Sequence, residues 1–552
     1  MQLSKEVIIV GGNAGGMSCA TRLRRLDEKA KITVIERGPV ISYGTCGMPY
    51  VLGQVTQLSS HLNIQTPAKL QEWFNMDICL NTEVLEIDRA SEVVRIRDSS
   101  GTNRQLHYDK LVLALGAEPI LPPITGIYSR HVFKLHMSVD LENIRNHLAN
   151  AGGHCATILG GGYIGLETVE NLHRLGLRTT LIEKQPHVLP GMDAALAEAV
   201  HNELRCNGVQ LILNANVTRI SESDDTLPGL VYVEGYDPIP ADLVIAATGV
   251  RARTAIAQAA DIQIGQNGVI VNEKMETTDP DIYAVGDMVE AHHALVGQRV
   301  HVPLAGPASK QGRIAADNIC GRESRYHGNI GTSICRIFGL TVGMVGLSNK
   351  ALSNVGIAFE YITIHPLQHA VYYPGASAMT IQASFQIPSG KILGAQIIGH
   401  DGVDKRIDVL ATAIQAGLTI SELAHLELCY APQFSSAKDP INILGFVGQN
   451  VLNREVNILH ASDLPAKLVH LAEYNVFDVR SSEEFRHSHI PGAVNIPLAS
   501  VRQVAKRMRT TKPILVYCWV GYRSYVACRV LQQMGFRAYY LDGGLKSLRQ
   551  EQ

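Results

Sequence analysis

Two stretches of this 552-residue chain follow the same plan. VIIVGGNAGG runs from an apolar segment into glycines and then into SCATRLRRL, and the next apolar segment, ITVIE, ends in Glu36. Further on, ATILGGGYIGLETVENL repeats this order and TTLIEKQ supplies the second acid, Glu183. An apolar run of strand length, a glycine turn, a helix and a second strand make a βαβ unit. Glycines let the backbone approach a pyrophosphate at the helix N-terminus. The acid that ends the second strand accepts hydrogen bonds from ribose hydroxyls. Gly160, Gly162 and Gly165 satisfy GxGxxG, while in the first copy Gly11 and Gly16 hold the outer positions and Asn13 replaces the middle glycine. Asparagine tolerates a left-handed backbone better than most residues, which would allow the exchange. Two such units place the chain in the α/β class, with two dinucleotide-binding (Rossmann-like) domains. Glu183 would repel a 2′-phosphate and so favours NADH over NADPH at the second site, an inference that Lys184 weakens.

The rest of the composition narrows the partners. With 49 basic and 51 acidic residues the chain is near neutral, which argues against nucleic acid or an anionic membrane as the main partner. No apolar run reaches transmembrane length, and MQLSKEVIIVGG reads as a buried first strand rather than a signal peptide. Ten cysteines without a CxxC pair form neither a metal site nor a disulfide framework. A cytoplasmic protein with reduced thiols and no metal is expected.

Three further blocks follow the strand-and-turn pattern: LVLALGAEP, DLVIAATGV and TTDPDIYAVGD, the last ending in Asp287. The order GGNAGG, VIER, LVLALGA, GGGYIGLE, AATGV, IYAVGD resembles the pyridine nucleotide–disulfide oxidoreductases, across about residues 5 to 445. That likeness implies FAD at the first unit, with Glu36 on the adenosine ribose and Asp287 on the ribitol, and NAD(P)H at the second. It implies an FAD-binding domain split into 1–116 and 245–325, with the NAD-binding domain at 117–244 inserted. An α+β dimerisation domain at 326–445 would make the protein a homodimer. After a linker at 446–458, the blocks NVFDVRSSEEFRHSHIPGAVNIP, PILVYCWVGYRS and LDGGLKSL resemble a rhodanese α/β domain, placed at 459–552.

Cys46 stands alone in SYGTCGMPY, where disulfide reductases of this family usually carry CxxxxC. The stretch resembles the single-cysteine branch, which holds coenzyme A disulfide reductases, NADH oxidases and peroxidases, and is most similar to the coenzyme A group. An electropositive helix start is expected to lower the thiol pKa. Without a second cysteine, Cys46 must form a mixed disulfide, a persulfide or a sulfenic acid. HPL at 365–367 does not fit the family's usual histidine acid. LCYAPQFSSAKDPIN, with Tyr430, and AVYYPGA, with Tyr372 and Tyr373, instead resemble the tyrosines of the coenzyme A group, where they reach the partner subunit's active site; a phenol can protonate a departing thiolate. Ser42, Lys438, Arg22 and Arg25 are the candidate contacts for coenzyme A as bound ligand or substrate.

Cys518 ends the apolar run PILVY and opens the loop CWVGYRS, where backbone N–H groups and a helix start form an anion cradle. Arg523 adds positive charge, suited to a persulfide on Cys518. The loop is one residue shorter than phosphatases of similar design require. Trp519 and Tyr522 suit a larger organic persulfide better than thiosulfate, and Cys528 is expected to pack in the following helix. Together the motifs imply an NADH-dependent FAD enzyme that reduces persulfides, polysulfides or coenzyme A disulfide at Cys46, with Cys518 relaying sulfane sulfur. An NADH oxidase or peroxidase, a sulfurtransferase with a regulatory flavin module, and a redox sensor remain as alternatives.

Overall fold

The computed structural model describes residues 5–56, 59–151, 153–222, 228–464 and 473–550. The chain divides into two units, one of residues 1–185 and 209–329, the other of 186–208 and 330–552.

The first unit contains two five-stranded parallel sheets. In the first, Glu6–Val10 is central, and the order is Ile282–Ala284, Lys110–Leu113, Glu6–Val10, Lys31–Ile35, Asp77–Cys79. Val7, Ile8, Ile9 and Val10 are all buried, as a parallel sheet covered on both faces demands. The second sheet runs Gln210–Ile212, Arg178–Ile182, Cys155–Leu159, Leu243–Ala246, Val132–Phe133. Its strands fall between the fourth and fifth strands of the first sheet in the sequence.

Each central strand ends in a turn that only glycine can make. Gly11 has φ +110°, and a Cβ there would lie 2.1 Å from the Ala114 carbonyl oxygen. At Gly16 an added Cβ would meet the Gly11 carbonyl oxygen at 1.9 Å, and Gly165 repeats this against Gly160. Asn13 departs from the expectation. It is the N-cap of helix Ala14–Leu26 with φ −108°, and Gly162, N-cap of helix Tyr163–Arg174, is also extended with φ −79°. An N-cap takes the β region, so this position needs no left-handed tolerance.

The second unit holds an antiparallel sheet ordered Ser333–Ile337, Leu340–Gly346, Ile392–Gly399, Thr380–Gln386, Phe359–Ile364. Helix Val403–Gln415 packs on it, with Ile407 against Gly343. On this helix Arg406 is 1% exposed. It donates to Asp439 Oδ2 (2.8 Å) and to the Gln368 carbonyl (2.9 Å), and lies 3.3 Å from Ser435 Oγ. Asp439 also caps helix Pro440–Leu452 by accepting from the Ile441 N–H. The expected linker at 446–458 is therefore helical in its first half, because a capping Asp and a Pro at the first helical position start a helix that apolar residues carry on.

From Ile458 the chain enters a parallel sheet ordered Ile458–Leu459, Ala538–Leu541, Ile514–Tyr517, Asn475–Asp478, Val494–Asn495. This sheet is tied to the strand Phe359–Ile364. Asp542 accepts the Thr363 N–H (2.9 and 3.1 Å), His365 Nε2 lies 3.0 Å from Ser547 Oγ, and His460 Nε2 lies 2.7 Å from Glu360 Oε1 while its ring stacks on Tyr361. Among the described residues no helix is long and apolar enough to cross a membrane.

Two tests follow from these buried charges. Arg406→Met leaves the buried Asp439 carboxylate with Lys405 at 3.3 Å as its remaining cation and is expected to cost about 3–5 kcal/mol, part of it recovered by adding Asp439→Asn. Chemical denaturation of the single and double variants measures this; a full loss that Asp439→Asn does not restore would remove the ion pair as the cause. Burial alone would lower the His460 pKa, but Asp542 and Glu360 outweigh it and push it up to about 9. Its contribution to stability is thus complete below 6.5 and lost as pH rises through about 9. Melting temperature against pH should fall across that window in the parent and stay flatter in His460→Gln.

Candidate functional site

The two acids brace their own glycine turns. Glu36 accepts the N–H groups of Gly12 (2.9 Å) and Gly38 (2.7 Å). Glu183 accepts those of Gly161 (2.6 Å) and Gln185 (2.7 Å). These bonds use about two of roughly four lone-pair sites on each carboxylate, so a ribose hydroxyl can still be bound. Neither Asn13 nor Gly162 closes its helix start with a side-chain hydrogen bond, and a Cβ on Gly162 would meet nothing within 4 Å. Both turns therefore fit a dinucleotide pyrophosphate.

Cys46 is exposed and unbridged, in the short 3-10 turn Thr45–Gly47 that leads into helix Met48–Leu52. That helix packs on Tyr163–Arg174, where Asn171 fills the space beside Gly53. Tyr50 donates to Glu167 Oε1 (3.1 Å) on the second helix. Here the structure corrects the expected lowering of the thiol pKa. Although Cys46 is exposed at the surface, desolvation by the surrounding chain pushes its thiol up; Glu167 repels the thiolate, the Thr45 hydrogen bond favours it, and Asp287 repels it. A five-residue helix has little aligned dipole to set against two carboxylates. Asp287 and Glu167 are themselves raised by burial. His301 Nε2 lies 2.7 Å from the Asp287 carbonyl. Cys46, Glu167 and Asp287 thus share one electrostatic site, assembled from a loop, a helix and a strand end. Ser42, just before, has a left-handed backbone (φ 51°) and donates its N–H to the Gly12 carbonyl (2.7 Å).

Of the basic residues expected to contact coenzyme A, Arg22 is otherwise engaged. Its guanidinium is paired with Asp317 at 2.7 Å, with both side chains largely buried. That pair joins helices Ala14–Leu26 and Ala305–Ile319, which pack tightly enough that a Cβ on Gly312 would lie 2.1 Å from the Gly15 carbonyl. Arg25 and Lys438 are exposed.

In the second unit, the Tyr372 and Tyr430 hydroxyls lie 2.9 Å apart, with Tyr372 71% exposed. The hydrogen bond with Tyr430 pushes the Tyr372 phenol above its ordinary range. Tyr373 is exposed and meets His369 edge-on at 5.5 Å. Arg406 holds both segments through Gln368 and Asp439, and the Ala370 N–H donates to the Ser435 carbonyl (3.1 Å). His365 is buried between Thr380 and Ser547, with its pKa lowered by burial to about 3.

Cys518 follows the strand Ile514–Tyr517 and is fully buried. Its Sγ accepts the Gly521 N–H (3.2 Å) and lies 3.5 Å from Ser524 Oγ, at the start of helix Tyr522–Gln533. Gly543 and Gly544 wall the loop, with Leu545 N–H donating to the Cys518 carbonyl and Lys546 N–H to that of Trp519. Arg523 does not stand free. Its two terminal nitrogens reach the two oxygens of Glu484 at 2.8 and 2.7 Å. Cys528 is buried in the domain core, its thiol pushed up to about 12 by burial.

Sequence reading missed Glu167, Tyr50, Arg406 and Glu484. Tyr50 lies inside SYGTCGMPY, Glu167 closes GGGYIGLE, and Glu484 lies in the quoted block around SSEEF, so each was in view but had no visible partner.

Comparison with known proteins places the chain in a family. Residues 5–312 match the family described as pyridine nucleotide-disulphide oxidoreductase, 332–440 the dimerisation domain of that family, and 462–551 a rhodanese-like domain. An NADH oxidase of Methanocaldococcus jannaschii is 34% identical over 441 residues, which is 79% of this chain and 97% of that protein. The reduced CoADR-RHD of Bacillus anthracis superposes with a TM-score of 0.96 at 37% identity, covering 99% of this chain and 98% of that one. An NAD-dependent persulfide reductase from A. fulgidus superposes with a TM-score of 0.91 at 33% identity, covering 98% and 99%. The chain belongs to the pyridine nucleotide-disulphide oxidoreductase family and carries, after that family's dimerisation domain, a rhodanese-like domain on the same polypeptide.

Proposed function

We propose that the protein is an NADH-dependent FAD enzyme that reduces organic persulfides and disulfides, coenzyme A persulfide foremost, with Cys46 as its redox thiol and Cys518 as a carrier of sulfane sulfur. The observation that carries this reading is the free, exposed Cys46 in a turn with no second cysteine. Such a thiol can take its second sulfur from the substrate. The cradled thiol of Cys518 on the same chain supports a sulfane-sulfur substrate in particular.

FAD, held by the first glycine turn with Glu36 and Asp287, and NADH, held by the second with Glu183, supply two electrons when bound. The Cys46 thiolate attacks a persulfide R–S–SH. It bonds the inner sulfur and expels hydrosulfide, or takes the outer sulfur and expels the thiolate RS−. Either way an S–S bond forms on Cys46, and its two-electron cleavage restores the Cys46 thiolate and frees the remaining sulfur species. Tyr430 from the other subunit of the homodimer, in hydrogen bond with Tyr372, gives the proton to the departing sulfur, and Tyr373 flanks that pair. Ser42, Arg25 and Lys438 contact coenzyme A; Arg22 is reserved for Asp317. The working form is a homodimer through the dimerisation domain, in a reducing compartment such as the cytoplasm that keeps the ten cysteines free.

A second reading, NADH oxidase or peroxidase, is favoured by the likeness to the M. jannaschii protein. Anaerobic NADH oxidation with coenzyme A persulfide, coenzyme A disulfide and peroxide supplied separately, with sulfide monitored, separates the readings. Persulfide turnover with matching sulfide release, lost in Cys46→Ser, is expected; faster turnover of peroxide or oxygen would replace it with the oxidase reading.

The raised Cys46 thiol also fixes a pH dependence. Because burial and the Glu167 and Asp287 carboxylates push it up, the thiolate fraction increases toward alkaline pH. Glu167→Gln removes one of those repulsions, so the rate of Cys46 alkylation by iodoacetamide should begin to rise at lower pH. An unmoved profile, or one displaced upward, would remove Glu167 from the control of this thiol.

A further inference from the structure

The Cys518 loop, read above as a carrier of sulfane sulfur, contains a single cation in the run from Cys518 to Arg523, and that cation, beside the Cys518 sulfur, is paired with a carboxylate. Arg523 meets Glu484 fork on fork, at 2.8 and 2.7 Å, the geometry in which a guanidinium is held most firmly by a carboxylate. Glu484 is itself fixed. It accepts the Ser481 N–H (3.0 Å), and its own N–H donates to Ser481 Oγ (3.2 Å), closing a capping box on helix Ser482–His487. The Arg523 guanidinium also holds the Glu484 carboxyl down at about 2, so the pair stays charged at any working pH. At the loop, Tyr522 is 72% exposed and Trp519 is partly exposed, which gives large apolar-bodied surfaces beside a buried sulfur.

We propose that Glu484 is a specificity-determining residue of the Cys518 site: by occupying Arg523 it excludes dianionic sulfur donors such as thiosulfate and leaves the site to organic persulfides. This deepens the reading of Cys518 as a sulfur carrier and rests on it.

The chemistry differs between the two donors. With thiosulfate, the Cys518 thiolate attacks the outer sulfur, the S–S bond breaks, and sulfite leaves with the electron pair. The sulfonate charge then needs a cation both in the bound donor and in the leaving group. With the Arg523 charge offset by Glu484, that dianion would shed water near a buried thiol without a full cation to balance it. With an organic persulfide, Cys518 takes the terminal sulfur and releases RS−. The charge at the reacting end is single, and the Gly521 N–H that already donates to Cys518 Sγ is placed to stabilise the new persulfide anion. Glu484 touches neither donor and acts through Arg523, as a positioning residue.

The test measures thiocyanate formation by the full-length protein, with cyanide as acceptor and either thiosulfate or the persulfide of 2-mercaptoethanol as donor. No NADH is added, so failure of the Cys46 reductase reading leaves this measurement untouched. The parent protein is expected to prefer the persulfide. Glu484→Gln keeps the capping-box hydrogen bonds but frees the guanidinium. It should raise kcat/KM for thiosulfate about tenfold, mainly through KM and less so at high salt, with the persulfide value within about twofold. Glu484→Asp, which keeps the charge, should retain the parent's preference. Equal use of both donors by the parent protein would overturn the proposal, as would an unchanged donor ratio in Glu484→Gln. Loss of both activities in that variant would show Glu484 to be structural and would overturn it too.

Discussion

The first unit depends on a contact in which there is no side chain. At Gly16 and Gly165 the helix backbone lies so close to the turn that an added Cβ would sit 1.9 Å from a carbonyl oxygen. That proximity aims the start of each helix at the end of its own strand. It also brings Glu36 and Glu183 within reach of turn amides. Neither acid could brace its turn if the helix were displaced by the width of a methyl group. Helix Ala305–Ile319 repeats the device, with Gly312 against the Gly15 carbonyl. The nucleotide turns are thus backbone structures first, and their polar side chains act on a geometry already set.

This explains what was legible in the sequence. Glycine spacing, the terminal acids and the strand-length apolar runs have local consequences, so both parallel sheets and the rhodanese loop could be read from short stretches. Asn13 was misread only in its conformation: an N-cap is extended, and no left-handed residue was required there. The Cys46 environment was not legible. A motif argument saw a thiol before a helix, but the groups that govern its charge come from positions 167 and 287, brought beside it only by the fold. Arg22 is a similar case, since its partner Asp317 lies 295 residues away. Arg406, buried and charged, joins the segments that carry Tyr372 and Tyr430, and nothing in AVYYPGA or LCYAPQF announces it.

The second unit shows how one strand can serve two domains. Phe359–Ile364 is the last strand of the antiparallel sheet, and an edge strand offers unpaired backbone groups. Here the Thr363 N–H is taken by Asp542, which directly precedes the Gly543–Gly544 pair against the Cys518 loop. Glu360, Tyr361 and His365 extend the seam through His460 and Ser547. The rhodanese loop is therefore buttressed from outside its own domain. A domain joined by a bare tether would carry no such buried carboxylate aimed at a neighbouring sheet.

The two thiols solve opposite electrostatic problems. Cys46 is exposed, and the carboxylates around it oppose its ionisation, so a thiolate there is a strong nucleophile that forms only when its charge is offset. Nucleophilicity rises with thiol basicity, which suits a thiol that must attack a sulfur–sulfur bond and be regenerated each cycle. Cys518 is buried and already accepts a backbone N–H, and its neighbouring guanidinium is neutralised by Glu484. Such a site stabilises a single negative charge on sulfur through an oriented amide, beside a guanidinium whose charge is shared with a carboxylate. In the proposed mechanism one chain therefore separates the two demands of sulfur chemistry: a basic, accessible thiol for bond cleavage, and a shielded one for holding the sulfur atom until it is passed on.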